Sequence, residues 1–140
     1  MEIKTMERFD IEALKRLYKS VNWTVYLEKP ARFREMFARS LEVLGAYEND
    51  ELIGIVRVVG DNAHILYIQD IIVEPKHQRQ GIGTKLFEEI LSRYAHVRQK
   101  VLLTDSDDTR SHAFYKKLGF HETAEKGIAC FLRFDKDNRL

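Results

Sequence analysis

The clearest chemistry in this sequence lies in the stretch Val73-Glu74-Pro75-Lys76-His77-Gln78-Arg79-Gln80-Gly81-Ile82-Gly83-Thr84. It joins the end of an apolar strand to the start of an amphipathic helix through a loop with two spaced glycines. Such a junction leaves several backbone N–H groups without partners and pointing the same way. Together with the positive end of the helix dipole, those donors suit a phosphate or pyrophosphate. Glycine fits because a missing side chain lets an anion approach the backbone closely. The loop reads as a seat for a phosphorylated cofactor. It is not a P-loop, since no Lys-Ser/Thr follows the second glycine, and it has two glycines where a dinucleotide fingerprint has three. The alternative is a tight turn that packs a helix onto a sheet.

Other residues carry narrower signals. Asp70 lies in the middle of Leu66–Val73, where a carboxylate is costly unless it faces a polar cleft or a partner such as a buried arginine. Trp23 and Tyr26 are candidates to wall an acceptor pocket, or core aromatics near a helix end. Asp105, Asp107 and Asp108 form an acidic loop that either draws cations or caps a helix. His64, His96, His112 and His121 show no metal-ligand spacing, and no metal is expected. Cys130 has no nearby His–Asp pattern and reads as a buried small apolar residue.

These residues need a scaffold, and the 140-residue length suits one domain with its own core. Apolar residues make up 44% and aromatics 11%, the composition of a soluble globular chain. A net charge of +1, from 23 basic and 22 acidic residues, argues against nucleic acid as a partner. The single cysteine excludes an internal disulfide and fits a reducing cytoplasm. No charged-then-apolar leader is visible, and no apolar run approaches the roughly 20 residues of a membrane span.

Periodicity places the elements. Met1–Lys4 suits a first strand. Asp10 caps a helix that buries Ile11, Leu14, Leu17 and Tyr18, with Phe9 stapled onto Leu14. Pro30 opens a second helix bearing Phe33, Met36, Phe37 and Leu41. Val43–Tyr47 and Leu52–Val59 flank the hairpin signal Glu48-Asn49-Asp50-Glu51, and Gly60-Asp61-Asn62 turns into Ile65–Val73. After the loop come a helix with Leu86, Phe87, Ile90, Leu91 and Tyr94, then the short strand Val101–Thr104. A helix from Thr109 to Leu118 stops at Gly119. Ile128–Phe134 is predicted as a last strand, with Phe120–Thr123 as another candidate. The order implies an α+β sandwich, a mixed sheet with helices on both faces.

Two motifs then combine. Gln78-x-x-Gly81-x-Gly83, after Ile71-Ile72-Val73-Glu74-Pro75, resembles the Q/R-x-x-G-x-G/A signature of the GNAT superfamily of acyl-CoA-dependent N-acetyltransferases. Ala113-Phe114-Tyr115-Lys116-Lys117-Leu118-Gly119-Phe120 resembles that superfamily's second motif. The match spans roughly Tyr67–Phe120; Asp108 and Ser111 stand where members often have Asn and Ala.

The resemblance implies a mostly antiparallel GNAT-like sheet over residues 1–140 and acetyl-CoA as cosubstrate. Backbone amides of Arg79, Gln80, Gly81, Ile82, Gly83 and Thr84, behind Gln78, would hold the pyrophosphate. Ile71, Ile72 and Val73 would pair with the pantetheine arm and polarise the thioester carbonyl. Lys76, His77 and Arg79 would meet the ribose phosphate or remain surface charges. Tyr115 would protonate the departing thiolate. Asp70 would take the amine's proton, with Gln69 beside it and Tyr67, Trp23 and Tyr26 lining the acceptor cleft. The acidic residues favour a small cationic amine. Protein lysine or N-terminal acetylation, or a catalytically silent acyl-CoA sensor, are the alternatives. Members are often dimers through their last strands.

Overall fold

A computed structural model describes residues 1–135, which form two compact units, Met1–Leu102 and one that begins at Leu103. The first unit holds a five-stranded sheet: β1 (Glu2–Thr5), β2 (Glu42–Glu48), β3 (Glu51–Gly60), β4 (Ile65–Val73) and β5 (Gln99–Leu102). The strands lie side by side in chain order; the first four pair antiparallel, and β5 joins β4 in parallel. The tight β2–β3 turn works because Asn49 and Asp50 both adopt positive φ, at 51° and 63°.

Helices cover both faces of this sheet. On one side, α1 (Ile11–Ser20) begins at Asp10, whose carboxylate accepts from Ala13 N at 3.1 Å. A 3-10 turn, Val25–Leu27, leads into α2 (Pro30–Ala38), with Pro30 in its first turn. Tyr18, Phe33 and Phe37 are fully buried here against Val43, Ile55 and Ile72. Their rings meet edge to face, with Tyr18 5.3 Å from Phe33 and Phe33 4.9 Å from Phe37. Each such pair adds about 0.5–1.5 kcal/mol to the burial itself. On the opposite side, α3 (Ile82–Arg93) lays Leu86, Phe87 and Ile90 on β2, β3 and β4.

One irregularity matters for the site. The β3–β4 ladder pairs Arg57 with Asp70 but Val58 with Ile68, so Gln69 is an extra, unpaired residue. This bulge reverses the faces of β4. Asp70 and Ile72 point under α1, whereas Leu66 and Ile68 point toward α3.

In the second unit, α4 (Thr109–Lys117) ends in a double turn: Gly119 N bonds Lys116 O and Phe120 N bonds Tyr115 O, both at 3.1 Å, with Gly119 at φ 90°. The expected strands at Phe120–Thr123 and Ile128–Phe134 do not form among the described residues. Thr123–Lys126 is a 3-10 turn, and residues 128–134 have no regular structure. Alternating apolar residues become a strand only beside a strand that takes up their N–H and C=O groups. Among the described residues of this unit no strand takes them up, and Phe131 is 95% exposed. Cys130 shares that exposure, which corrects its reading as a buried residue. No described helix is long and apolar enough to cross a membrane.

Candidate functional site

The glycine loop is held at its base by side chains. Gln78 Nε2 donates to Val73 O at 2.9 Å, so the residue expected to face a cofactor ties the loop to the end of β4. Glu74 N bonds Ile53 O at 2.8 Å and anchors the same corner to β3. His77 lies between two carboxylates, with Nε2 3.5 Å from Glu48 and Nδ1 3.4 Å from Glu74, without hydrogen-bond geometry at Nδ1. Lys76 also pairs with Glu74, at 3.5 Å. Beyond this anchor, Arg79 and Gly81 take left-handed φ of 66° and 80°. The amides of residues 79–84 bond no protein group among the described residues. Left-handed residues at this spacing turn successive N–H groups into one concavity, which with a helix N-terminus suits an anion. At Gly81 the need for glycine is its positive φ, since a Cβ there would meet nothing within 4 Å.

β4 offers a second feature. Its ladder with β3 runs to Val73, but its ladder with β5 stops at Ile68 opposite Leu102. From Gln69 to Val73 the β5-side edge of the strand is therefore open within this unit. An extended chain of amides laid there would find a strand's worth of donors and acceptors.

At the head of this open edge lies a buried polar network. Asp70 is 1% exposed and Arg57 6%. Asp70 Oδ2 accepts from Arg57 Nε at 2.8 Å and from Tyr18 OH at 2.7 Å, while Oδ1 accepts from Tyr26 OH at 2.8 Å. Gln69 Nε2 in turn donates to Tyr26 OH at 2.8 Å. Burial first, and then the charge of Asp70, push the Tyr26 phenol up to about 12 and that of Tyr18 well above its ordinary value. Both therefore stay protonated and donate. Burial pulls Arg57 down, but Asp70 and the tyrosines more than offset it. The oxygens of Asp70, the residue expected to take the amine's proton, accept three hydrogen bonds.

The other expected residues have contacts of their own. Trp23 is partly exposed and its ring edges onto Tyr18 at 6.3 Å. Tyr67, partly buried, pairs with Val59 and Val101 across its two neighbouring strands. In the second unit, Tyr115 lies on α4 between Phe114 at 5.2 Å and Phe120 at 6.3 Å. Burial, then Asp108, raise its phenol to about 12. Asp108 caps that helix, accepting from Ser111 N at 3.2 Å and Ser111 Oγ at 2.7 Å. The two departures from the motif are thus each other's partners.

Arg57 and Tyr18 were not singled out from the sequence. The available signal was Arg57 itself, a lone charge in the apolar run Leu52–Val59. A surface cleft of about 530 Å³ beside the β2–β3 turn and the start of α1 shares no residue with this site.

Comparison with known proteins gives the family and the fold. The family model for the acetyltransferase (GNAT) family matches residues 9–120. A GNAT-family protein of Streptococcus pneumoniae is 28% identical and superposes with a TM-score of 0.85 over 97% of this chain and 98% of its own. A histone acetyltransferase of Glycine max is 35% identical over 78 residues, 56% of this chain and 33% of that protein. An aminoglycoside N-acetyltransferase in complex with CoA, at 18% identity and TM-score 0.71 over 96% and 98% of the two chains, shares the fold. The chain spans half or less of the first curated relatives it matches.

Proposed function

Because the chain belongs to the GNAT acetyltransferase family, we propose that it moves an acetyl group from acetyl-CoA to a primary amine, a small cationic one. The observation that carries this reading is the open edge of β4 from Gln69 to Val73, set beside the unpaired amides of residues 79–84. The amides of Arg79 to Thr84 hold the pyrophosphate. The backbone of Ile71 and Ile72 pairs with the pantetheine amides, and an N–H there polarises the thioester carbonyl. The ammonium first gives a proton to water, and the freed nitrogen attacks the carbonyl carbon. The C–S bond breaks, the nitrogen's second proton leaves to water, and Tyr115 gives a proton to the thiolate sulfur and regains one from water. The products are an N-substituted acetamide and the free thiol.

Thermal unfolding with increasing acetyl-CoA, against adenosine diphosphate as control, tests the cosubstrate. At 100 times its Kd a ligand of the folded state adds roughly 2.7 kcal/mol. No rise in Tm at millimolar acetyl-CoA would remove the reading. The exposed Ile128, Phe131 and Leu132 support a homodimer, to be tested by sedimentation.

A further inference from the structure

We propose that the buried Arg57–Asp70 pair fixes the direction of a hydrogen-bond chain that ends in an outward acceptor, the Gln69 side-chain carbonyl, which receives an N–H of the acceptor amine. The inference rests on the acetyltransferase reading and names how that site recognises its amine.

The direction follows from what each group can do. A carboxylate paired with Arg57 only accepts, so Tyr26, 2.8 Å away, must donate its one proton to Asp70. Its oxygen is then left as an acceptor, so Gln69 must turn its NH₂ toward Tyr26, at 2.8 Å. The amide therefore presents its carbonyl oxygen outward, where no protein group among the described residues takes it up. Asp70 is in this view a positioning residue: it acts on substrate only through Tyr26 and Gln69.

Position makes the outward oxygen useful. Gln69 is the bulged residue and the first of β4 beyond the last β5 pair. With the thioester carbonyl held at the Ile71–Ile72 backbone, an amine that attacks it approaches past the Gln69 end of the strand, two residues or about 7 Å further along. The ring of Tyr26, whose hydroxyl bonds Gln69 Nε2, stands beside that side chain, and an aromatic ring also favours a cation. An acceptor oxygen beside an aromatic ring selects an N–H donor over a substrate that offers only lone pairs.

The test uses the whole chain, saturating acetyl-CoA and four amines: spermidine, kanamycin, tyramine and Nα-acetyl-lysinamide, with thiol release as readout. For the amine with the highest kcat/KM, Gln69→Leu and Tyr26→Phe should each raise KM about tenfold, the scale of one hydrogen bond to a charged group. Their kcat should stay within about threefold of wild type on the same scale, with the acid limb of the pH profile unmoved. Gln69→Glu keeps an outward acceptor, so its KM should remain at or below the wild-type value. Asp70→Asn turns an N–H toward the Tyr26 oxygen, reverses the chain, and should raise KM as well. If Asp70→Asn does not fold, the Gln69 and Tyr26 variants decide. An unchanged KM in both Gln69→Leu and Tyr26→Phe overturns the inference. So does an Asp70→Asn variant that loses kcat alone with a shifted acid limb, which would make Asp70 the base. Stabilisation by acetyl-CoA with turnover of none of the four amines overturns it too, and leaves the cosubstrate reading standing. Absence of that stabilisation overturns both.

Discussion

The side-chain amide of Gln78 donates to the carbonyl of Val73 across five residues of chain, at 2.9 Å. One bond thereby fixes the angle between the end of β4 and the turn whose amides face outward. Gln78→Ala should leave that turn intact but less well placed. A net hydrogen bond is worth about 0.5–1.5 kcal/mol, so the Kd for acetyl-CoA should rise roughly two- to tenfold. Calorimetric titration measures this directly, and kcat at saturation should change little.

Arg57 and Asp70 stand opposite each other in the β3–β4 ladder, both almost wholly out of water. Arg57→Met leaves the carboxylate buried without its cation. Breaking a buried pair from one side costs about 3–5 kcal/mol. Urea unfolding should show a lower midpoint with an unchanged slope. The double variant Arg57→Met/Asp70→Leu should recover part of the loss, because it leaves no buried charge.

Much of this scaffold was legible as periodicity and caps. Asp10, Pro30 and Gly119 mark helix ends by local chemistry that does not depend on the rest of the fold, and each does so in the structure. The bulge at Gln69 was not legible. Leu66, Ile68, Asp70 and Ile72 alternate as though they shared one face, and only the pairing of β4 with β3 shows that they divide between two. The partners of Asp70 were hidden for the same reason, since Arg57, Tyr18 and Tyr26 reach it from three separate elements. Ile128–Phe134 failed in the opposite direction, a good local strand pattern that no strand completes among the described residues of its unit.

Asp61 closes the turn before β4 by accepting the amides of Ala63, His64 and Ile65 at 2.9–3.0 Å. Those bonds, that from Ile65 first, lower its carboxyl to about 2 from the ordinary 3.8. A depressed carboxylate stabilises the fold above its unfolded value and loses that contribution as pH falls through the folded one. The wild type should therefore exceed Asp61→Ala in stability at pH 5 and converge with it as pH drops toward 2. A pH series of denaturant midpoints reads the difference; a constant gap across that window would assign it to something other than this carboxylate.

Tyr115 allows the proton-donor role to be separated from a packing role. Phenylalanine keeps the ring contacts with Phe114 and Phe120, so Tyr115→Phe should fold with nearly wild-type stability. Loss of a general acid typically costs about 10²–10⁴ in rate, and kcat should fall on that scale while acetyl-CoA affinity holds. The pH dependence adds a second constraint. With its phenol raised to about 12, Tyr115 stays protonated, and so able to donate, throughout the working range. Its titration should then put no alkaline limb on kcat below pH 10, a value about two pH units under that pKa. A limb near pH 8 that disappears in Tyr115→Phe would mean the hydroxyl is far more acidic than its surroundings imply. A variant with unchanged kcat would take Tyr115 out of the reaction and leave the thiolate to be protonated by water.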